Sequence, residues 1–144
     1  MSSGMMWDFW QSVISVPLFV SNILFTLENG YFEVATNGNI DMSLTAPSDI
    51  DFIIWGPFTD LATAQASCGT MGSAPANEVD CSYSATNNET PSIPAAVAGE
   101  VYVMLITNYA NVTQDISLTQ TGGSGSTDCN IVNNPPCFMS FFEA

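Results

Sequence analysis

No Lys, Arg or His stands anywhere among the 144 residues, against fourteen Asp and Glu and a formal charge of −14. No carboxylate can be neutralised by a side-chain cation. Each is left with hydration, hydrogen bonds from backbone N–H or hydroxyl groups, or a bound metal ion. The same absence narrows the partners. A surface without cations cannot neutralise phosphates or approach anionic lipid, which excludes nucleic acid and anionic membrane surfaces. It also removes the general base, Schiff-base amine and oxyanion clamp that most enzymes need. Only carboxylate chemistry survives, as a glycosidase pair or an aspartic-protease pair, and no Asp-Thr-Gly or Asp-Ser-Gly triplet is present for the latter. The chain is expected not to be an enzyme. Its 47% hydrophobic content argues against disorder despite the charge, and its length suits one domain with a real core.

The apolar residues follow the period of strands. Ile40, Met42 and Leu44 share one side of "GNIDMSLTA", with Asp41, Ser43 and Thr45 on the other. In "SDIDFIIWGPFTD" (48 to 60), Ile50, Phe52 and Ile54 fall on one side and Asp49, Asp51, Ile53 and Trp55 on the other; Gly56-Pro57 is expected to end this strand. Asn29-Gly30 and Asn37-Gly38 stand between such runs, and Asn-Gly is a strong hairpin signal. They predict three consecutive antiparallel strands near 22 to 28, 31 to 36 and 39 to 45. "TDLATAQASCG" predicts a short surface helix with Thr59 or Asp60 at its N-cap. "DCSYS" and "TPSIP" predict further strands, "GEVYVMLITNY" a central strand buried on both faces, and "TQDISLTQT" a strand with Ile116 and Leu118 inward. "GGSGST" (122 to 127) has the composition of a flexible connector. The expected class is all-β: an antiparallel β-sandwich or jelly roll with a strand-forming N-terminal arm. It divides into the arm (1–27), the sandwich (28–132) and a tail or edge strand (133–144).

The arm is the most apolar part. "FWQSVISVPLFVSNILFTL" (9 to 27) lacks the basic n-region and small-residue cleavage site of a signal peptide, and polar residues interrupt it too often for a membrane span. Its β-branched and aromatic content, broken at Pro17, predicts two strands. Val13, Ile14, Val16, Leu18, Val20, Ile23 and Phe25 are the side chains expected to carry an assembly contact.

Asp49 and Asp51, about 7 Å apart along one face of a strand, and Asp80, if its strand pairs with theirs, are candidate ligands of a hard, oxygen-liking ion such as Ca²⁺. The alternative is a solvated face that discourages edge pairing. No other cofactor is implied. The four cysteines, Cys68, Cys81, Cys129 and Cys137, allow three disulfide pairings. The simplest joins Cys68 to Cys81 and Cys129 to Cys137, which suits an exported protein; a zinc site is the rival, without any C-x-x-C element. Asn88 and Asn111 open N-x-[ST] glycosylation tripeptides. Trp55, Phe58, Tyr102 and Tyr109 are expected in the core, with a sugar-binding platform as the alternative.

The segments "DIDFIIWGPF", "VDCSYS", "ETPSIPAAVAGEVYVMLITNYAN" and "ISLTQTGGSGSTDC", taken in order, resemble a β-sandwich module of the CUB-like and prepeptidase-C-terminal jelly-roll kind. Such modules occur in secreted Bacteroidota surface proteins described as gliding-motility adhesins or type IX secretion cargo. The resemblance spans roughly residues 38 to 132. It implies a Cys68–Cys81 disulfide flanking the loop after the Trp-Gly-Pro-Phe strand. The lead-in before residue 38 matches poorly, and family members carry ordinary numbers of basic residues.

Together these readings point to an extracellular or cell-surface structural or adhesive protein. The arm either completes its own sheet or inserts into a neighbour's, and in the second case repeated head-to-tail exchange makes a homopolymeric filament. A carbohydrate- or calcium-binding accessory module is the alternative, with glycans as its partners.

Overall fold

The computed structural model describes residues 18–21 (backbone path only), 30–71, 77–110, 112 and 114–128. The strand expected near 22–28, the tail 133–144, Cys129, Cys137, Asn111, and the arm residues Val13, Ile14, Val16, Ile23 and Phe25 lie outside the described residues.

Among the described residues ten strands and one helix follow in chain order: β1 (Leu18–Ser21), β2 (Tyr31–Thr36), β3 (Gly38–Thr45), β4 (Asp51–Phe58), α1 (Leu61–Ser67), β5 (Glu78–Ser82), β6 (Asn88–Glu89), β7 (Ser92–Ala96), β8 (Val101–Thr107), β9 (Ile116–Gly122) and β10 (Ser126–Asp128). They form two packed sheets. The first runs β1-β9-β3-β6, with β7 also on β3; the second runs β10-β2-β8-β4-β5. Every pair is antiparallel except β1 with β9, which is parallel, Leu18 lying opposite Ile116 and Ser21 opposite Thr119.

The core is where the two period-2 patterns meet. Ile40, Met42, Leu44, Ile93, Ile116 and Leu118 of the first sheet pack against Phe32, Val34, Phe52, Ile54, Tyr102 and Met104 of the second. Phe32 and Tyr102 are cross-strand neighbours with stacked rings, centroids 5.7 Å apart. The opposite face of the second sheet is also covered. There Tyr31, Ile53, Trp55, Val101 and Val103 pack with Phe58, Ala64, Cys68 and Met71, around α1. This second layer explains why β8 reads as a continuous apolar run: it is the central strand of its sheet and is buried on both faces. The helix starts as expected, with Asp60 Oδ1 accepting from Thr63 N at 2.7 Å.

Three local expectations are corrected. Asn37-Gly38 does not close a hairpin: β2 and β3 lie in different sheets, and the chain crosses between them. "GGSGST" is not a loose connector, because β9 crosses to β10 beside the first crossing. Gly125 N donates to Asn39 O at 2.9 Å, and the Thr36 and Ser126 hydroxyls meet at 2.8 Å. A Cβ on Gly38 (φ +138°) would collide with Ser124, and one on Gly123 (φ +87°) with the Asn39 carbonyl, so the glycines are what let the two corners interlock. The Asn side chains serve this corner as well. Asn37 Oδ1 accepts from Ala98 N and Asn39 Oδ1 from Ala95 N, holding Ala95 at its left-handed φ of +51°. Finally, Gly56-Pro57 does not end β4 but bulges it: Trp55 pairs with Val103 and Phe58 with Val101, three residues of travel against two.

Ile54 is fully buried between the sheets. Ile54→Ala is expected to cost about 2–5 kcal/mol in denaturant unfolding, whereas Val97→Ala on the exposed β7–β8 turn is expected to stay within about 0.5 kcal/mol.

Candidate functional site

At one end of the second sheet, three loops close over the start of β4. Residues 46–50 are tied to the β5–β6 loop by Ala46 N to Asn87 O (3.0 Å) and Ile50 N to Thr86 O (3.1 Å). They are tied to the β8–β9 loop by Ala110 N to Asp49 O (3.2 Å). A relay of amides completes the closure. Ser48 N donates to Gln114 Oε1 (2.7 Å), Gln114 Nε2 to Asn108 Oδ1 (2.7 Å), and Asn108 Nδ2 to Val112 O (2.6 Å). Gln114 and Asn108 are buried, so the relay uses their polar groups on the fold itself.

Against this closure sit the carboxylates. Asp51 is only 2% exposed and lies directly across from Thr107 of β8, itself 0% exposed. Asp51 Oδ2, Thr107 Oγ1 and Asp49 Oδ1 are all buried without a hydrogen-bond partner among the described residues. Glu89, also buried, accepts from the Thr86 hydroxyl at 3.3 Å and faces the same region. Burial first, then the charges of Asp49 and Glu89, push the Asp51 carboxyl up to about 7. At the rim Tyr83, Tyr109 and Val112 are exposed.

The structure thus brings Asp49 and Asp51 together and places Asp80 elsewhere. Asp80 lies on β5 opposite Ile54, three residues along β4 from Asp51, on the side facing the other sheet. Its Oδ2 accepts from Ser92 N at 2.8 Å, while Asp41 Oδ1 accepts from the Ser92 hydroxyl, also at 2.8 Å. Asp80 is therefore a tie between β5 and β7, and its carboxyl is raised chiefly by burial. Among the described residues no three His, Cys, Asp or Glu side chains converge on one metal position.

The Cys68–Cys81 bridge is not formed. Cys81 keeps its thiol, which donates to Glu78 Oε1 at 3.1 Å, while Cys68 Sγ sits 2.7 Å from the Tyr31 hydroxyl at the end of α1. Burial, and then the neighbouring Glu78 and Asp80, push the Cys81 thiol up to about 12. Trp55, Phe58 and Tyr102 are core residues, whereas Tyr109 is exposed at 54%. Asn88 is exposed on the two-residue strand β6. No helix among the described residues is long and apolar enough to cross a membrane.

Sequence reasoning missed Glu89, Thr107, Asn108 and Gln114. A signal existed for Thr107-Asn108: two polar residues directly end the apolar run "VYVMLI", where a buried strand meets its loop. Glu89 had none, since its burial depends on β6 lying across the end of the sandwich.

No protein family, curated protein or solved structure matches the chain. The fold-level part of the resemblance stands, as two packed antiparallel sheets.

Asp51 sets a pH dependence. Its folded value, about 7, lies above the ordinary 3.8 of the unfolded chain, so the folded state holds the extra proton between them. Its contribution to stability is full below about 4 and is lost as pH rises through about 7. In chelator-treated protein the melting temperature is expected to fall from pH 5 to pH 8. Asp80 acts in the same direction, so the decisive comparison is Asp51→Asn, whose curve should be flatter than that of the wild type. A second expectation concerns Cys81: at pH 8 it should resist iodoacetamide in the native protein and react once unfolded in urea, read by peptide mass.

Proposed function

We propose that the protein is an extracellular structural or adhesive subunit that assembles by exchange of the arm strand on the edge of β9 that β1 occupies. The inventory of sheet edges carries this reading. The β5 edge bears Glu78 and Asp80, the three-residue β10 ends in Asp128, and the β6/β7 edge is flanked or interrupted by Pro91 and Pro94. Charge, shortness and proline are the devices that keep sheet edges from pairing with other chains. The remaining edge, "ISLTQTG" of β9, has none of them. It is the edge on which β1, a segment of the apolar arm, lies in parallel register.

In the single chain that partner is the chain's own Leu18–Ser21. The same ladder forms when the strand comes from a second copy, because exchange of an identical element between protomers preserves its contacts. Main-chain hydrogen bonds then supply affinity, and the alternate side chains of the arm supply specificity. Repeated head to tail, the contact builds a homopolymer. A secreted surface module of the CUB-like or prepeptidase-C-terminal kind, without the proton-handling groups of an enzyme, suits that role.

Negative-stain imaging and light scattering of the full chain test it, beside Val20→Pro, which removes a strand N–H. Linear oligomers in the wild type and monomers in the variant are expected. Monomers at every wild-type concentration, or undiminished polymer in Val20→Pro, would overturn the reading, and monomers that bind glycan would favour an accessory module.

A further inference from the structure

We infer that Asp49, Asp51 and Thr107 form a Ca²⁺ site at the loop-closed end of the second sheet. Four buried side-chain atoms among the described residues lack a hydrogen-bond partner, and three are oxygens of this one cluster. Asp51 and Thr107 face each other across the β4–β8 ladder, on side chains 2% and 0% exposed. Asp49 stands two residues before Asp51, close enough for its charge to act on it.

Among the described residues no donor reaches them. The nearby amides of Asn108 and Gln114 point to Val112 O and Asn108 Oδ1, and the Ala110 N–H to Asp49 O. No side chain in the sequence carries a positive charge. A buried polar group without a partner is costly, and a buried charge more so, so the missing partner comes from solution. Water can donate hydrogen bonds to these oxygens but cannot balance two carboxylates; a divalent cation coordinates the oxygens and balances their charge.

The donor chemistry selects the ion. Three hard oxygens and no nitrogen or sulfur disfavour zinc. Ca²⁺ tolerates irregular, strand-borne ligands and completes its shell with carbonyls or water, whereas Mg²⁺ demands near-octahedral geometry and dehydrates reluctantly. With so few carboxylates the affinity belongs to the range of extracellular modules, on the order of 10⁻⁴ to 10⁻³ M. The site lies on the second sheet and none of its three residues belongs to the β1–β9 ladder, so its test is separate from that of strand exchange.

The test uses the full chain, stripped with chelator, at pH 8. Ca²⁺ titrated against melting temperature should raise it saturably, with Mg²⁺ and Na⁺ at equal ionic strength giving little. Thr107→Val should move the midpoint to roughly tenfold higher Ca²⁺, Asp51→Asn should abolish the response, and Asp80→Asn should leave it intact. Tb³⁺ luminescence sensitised by the protein's aromatic residues, displaced by Ca²⁺, reads the wild type without any variant having to fold. The absence of both Tb³⁺ emission and a Ca²⁺-dependent shift overturns the site and leaves a proton as the partner of these oxygens. So does a shift that survives in Asp51→Asn.

Discussion

The lack of any side-chain cation decides how the acids of this fold are held. Coulomb pairing is replaced by hydrogen bonds from backbone N–H and hydroxyl groups, and the acids become joints of the architecture. Asp60 caps α1 through Thr63 N. Asp41 and Asp80, one from each sheet, grip the hydroxyl and the N–H of Ser92. Glu100 Oε2 accepts both Val97 N and the Tyr102 hydroxyl, closing the β7–β8 turn and fixing the ring that stacks on Phe32. Hydrogen bonds to a charged acceptor are stronger than neutral ones, so these few contacts orient loops that an apolar core alone would leave loosely specified.

Two carboxylates escape this scheme, and their position explains why. The ends of strands are where ladder donors run out, and Asp49 and Asp51 enter β4 just where three loops converge. Four N–H groups of those loops, from Ala46, Ser48, Ile50 and Ala110, are spent on one another, through Asn87 O, Gln114 Oε1, Thr86 O and Asp49 O. The loops are locked with the acids underneath them. That combination of closure without satisfaction separates this end of the sandwich from every other acid described above.

Much of the fold was legible because β-strands write their burial into the sequence at period two. Ile40, Met42 and Leu44 inward, Ile50, Phe52 and Ile54 inward, and an unbroken apolar β8 could all be read from spacing. What spacing cannot carry is sheet membership. Asn37-Gly38 has the chemistry of a hairpin turn, and its glycine does take up a positive φ, yet it serves a crossing between sheets, because the competing partner for β3 is β9, about eighty residues away. The "GGSGST" stretch misleads for the same reason: its glycines read as freedom, whereas two of the residues around it are there because a Cβ would strike the facing corner. Of the candidate site, the Asp49–Asp51 pair was visible as two acids on one strand face. The proposed third member was not, since Thr107 is joined to Asp51 only by the antiparallel register of β4 on β8, and Asp80, on the neighbouring β5, is turned to the other face of the sheet, toward Ser92.

A parallel strand of four described residues on the edge of an otherwise antiparallel sheet pairs only with Ile116 to Thr119, leaving Gln120 to Gly122 of the same strand beyond it. Closed and exchanged forms contain the same β1–β9 ladder, so the free-energy difference between them comes from the connection to β2 and from the entropy of association, not from the ladder itself. Such a balance responds to concentration, whereas a stability difference inside one chain does not. The proposed cation site and the proposed strand exchange would answer to different variables, one to divalent ions through Asp51, the other to protein concentration through β1. Because they sit on different sheets, changing one set of conditions at constant values of the other resolves whether the sandwich is stabilised from within, joined from without, or both.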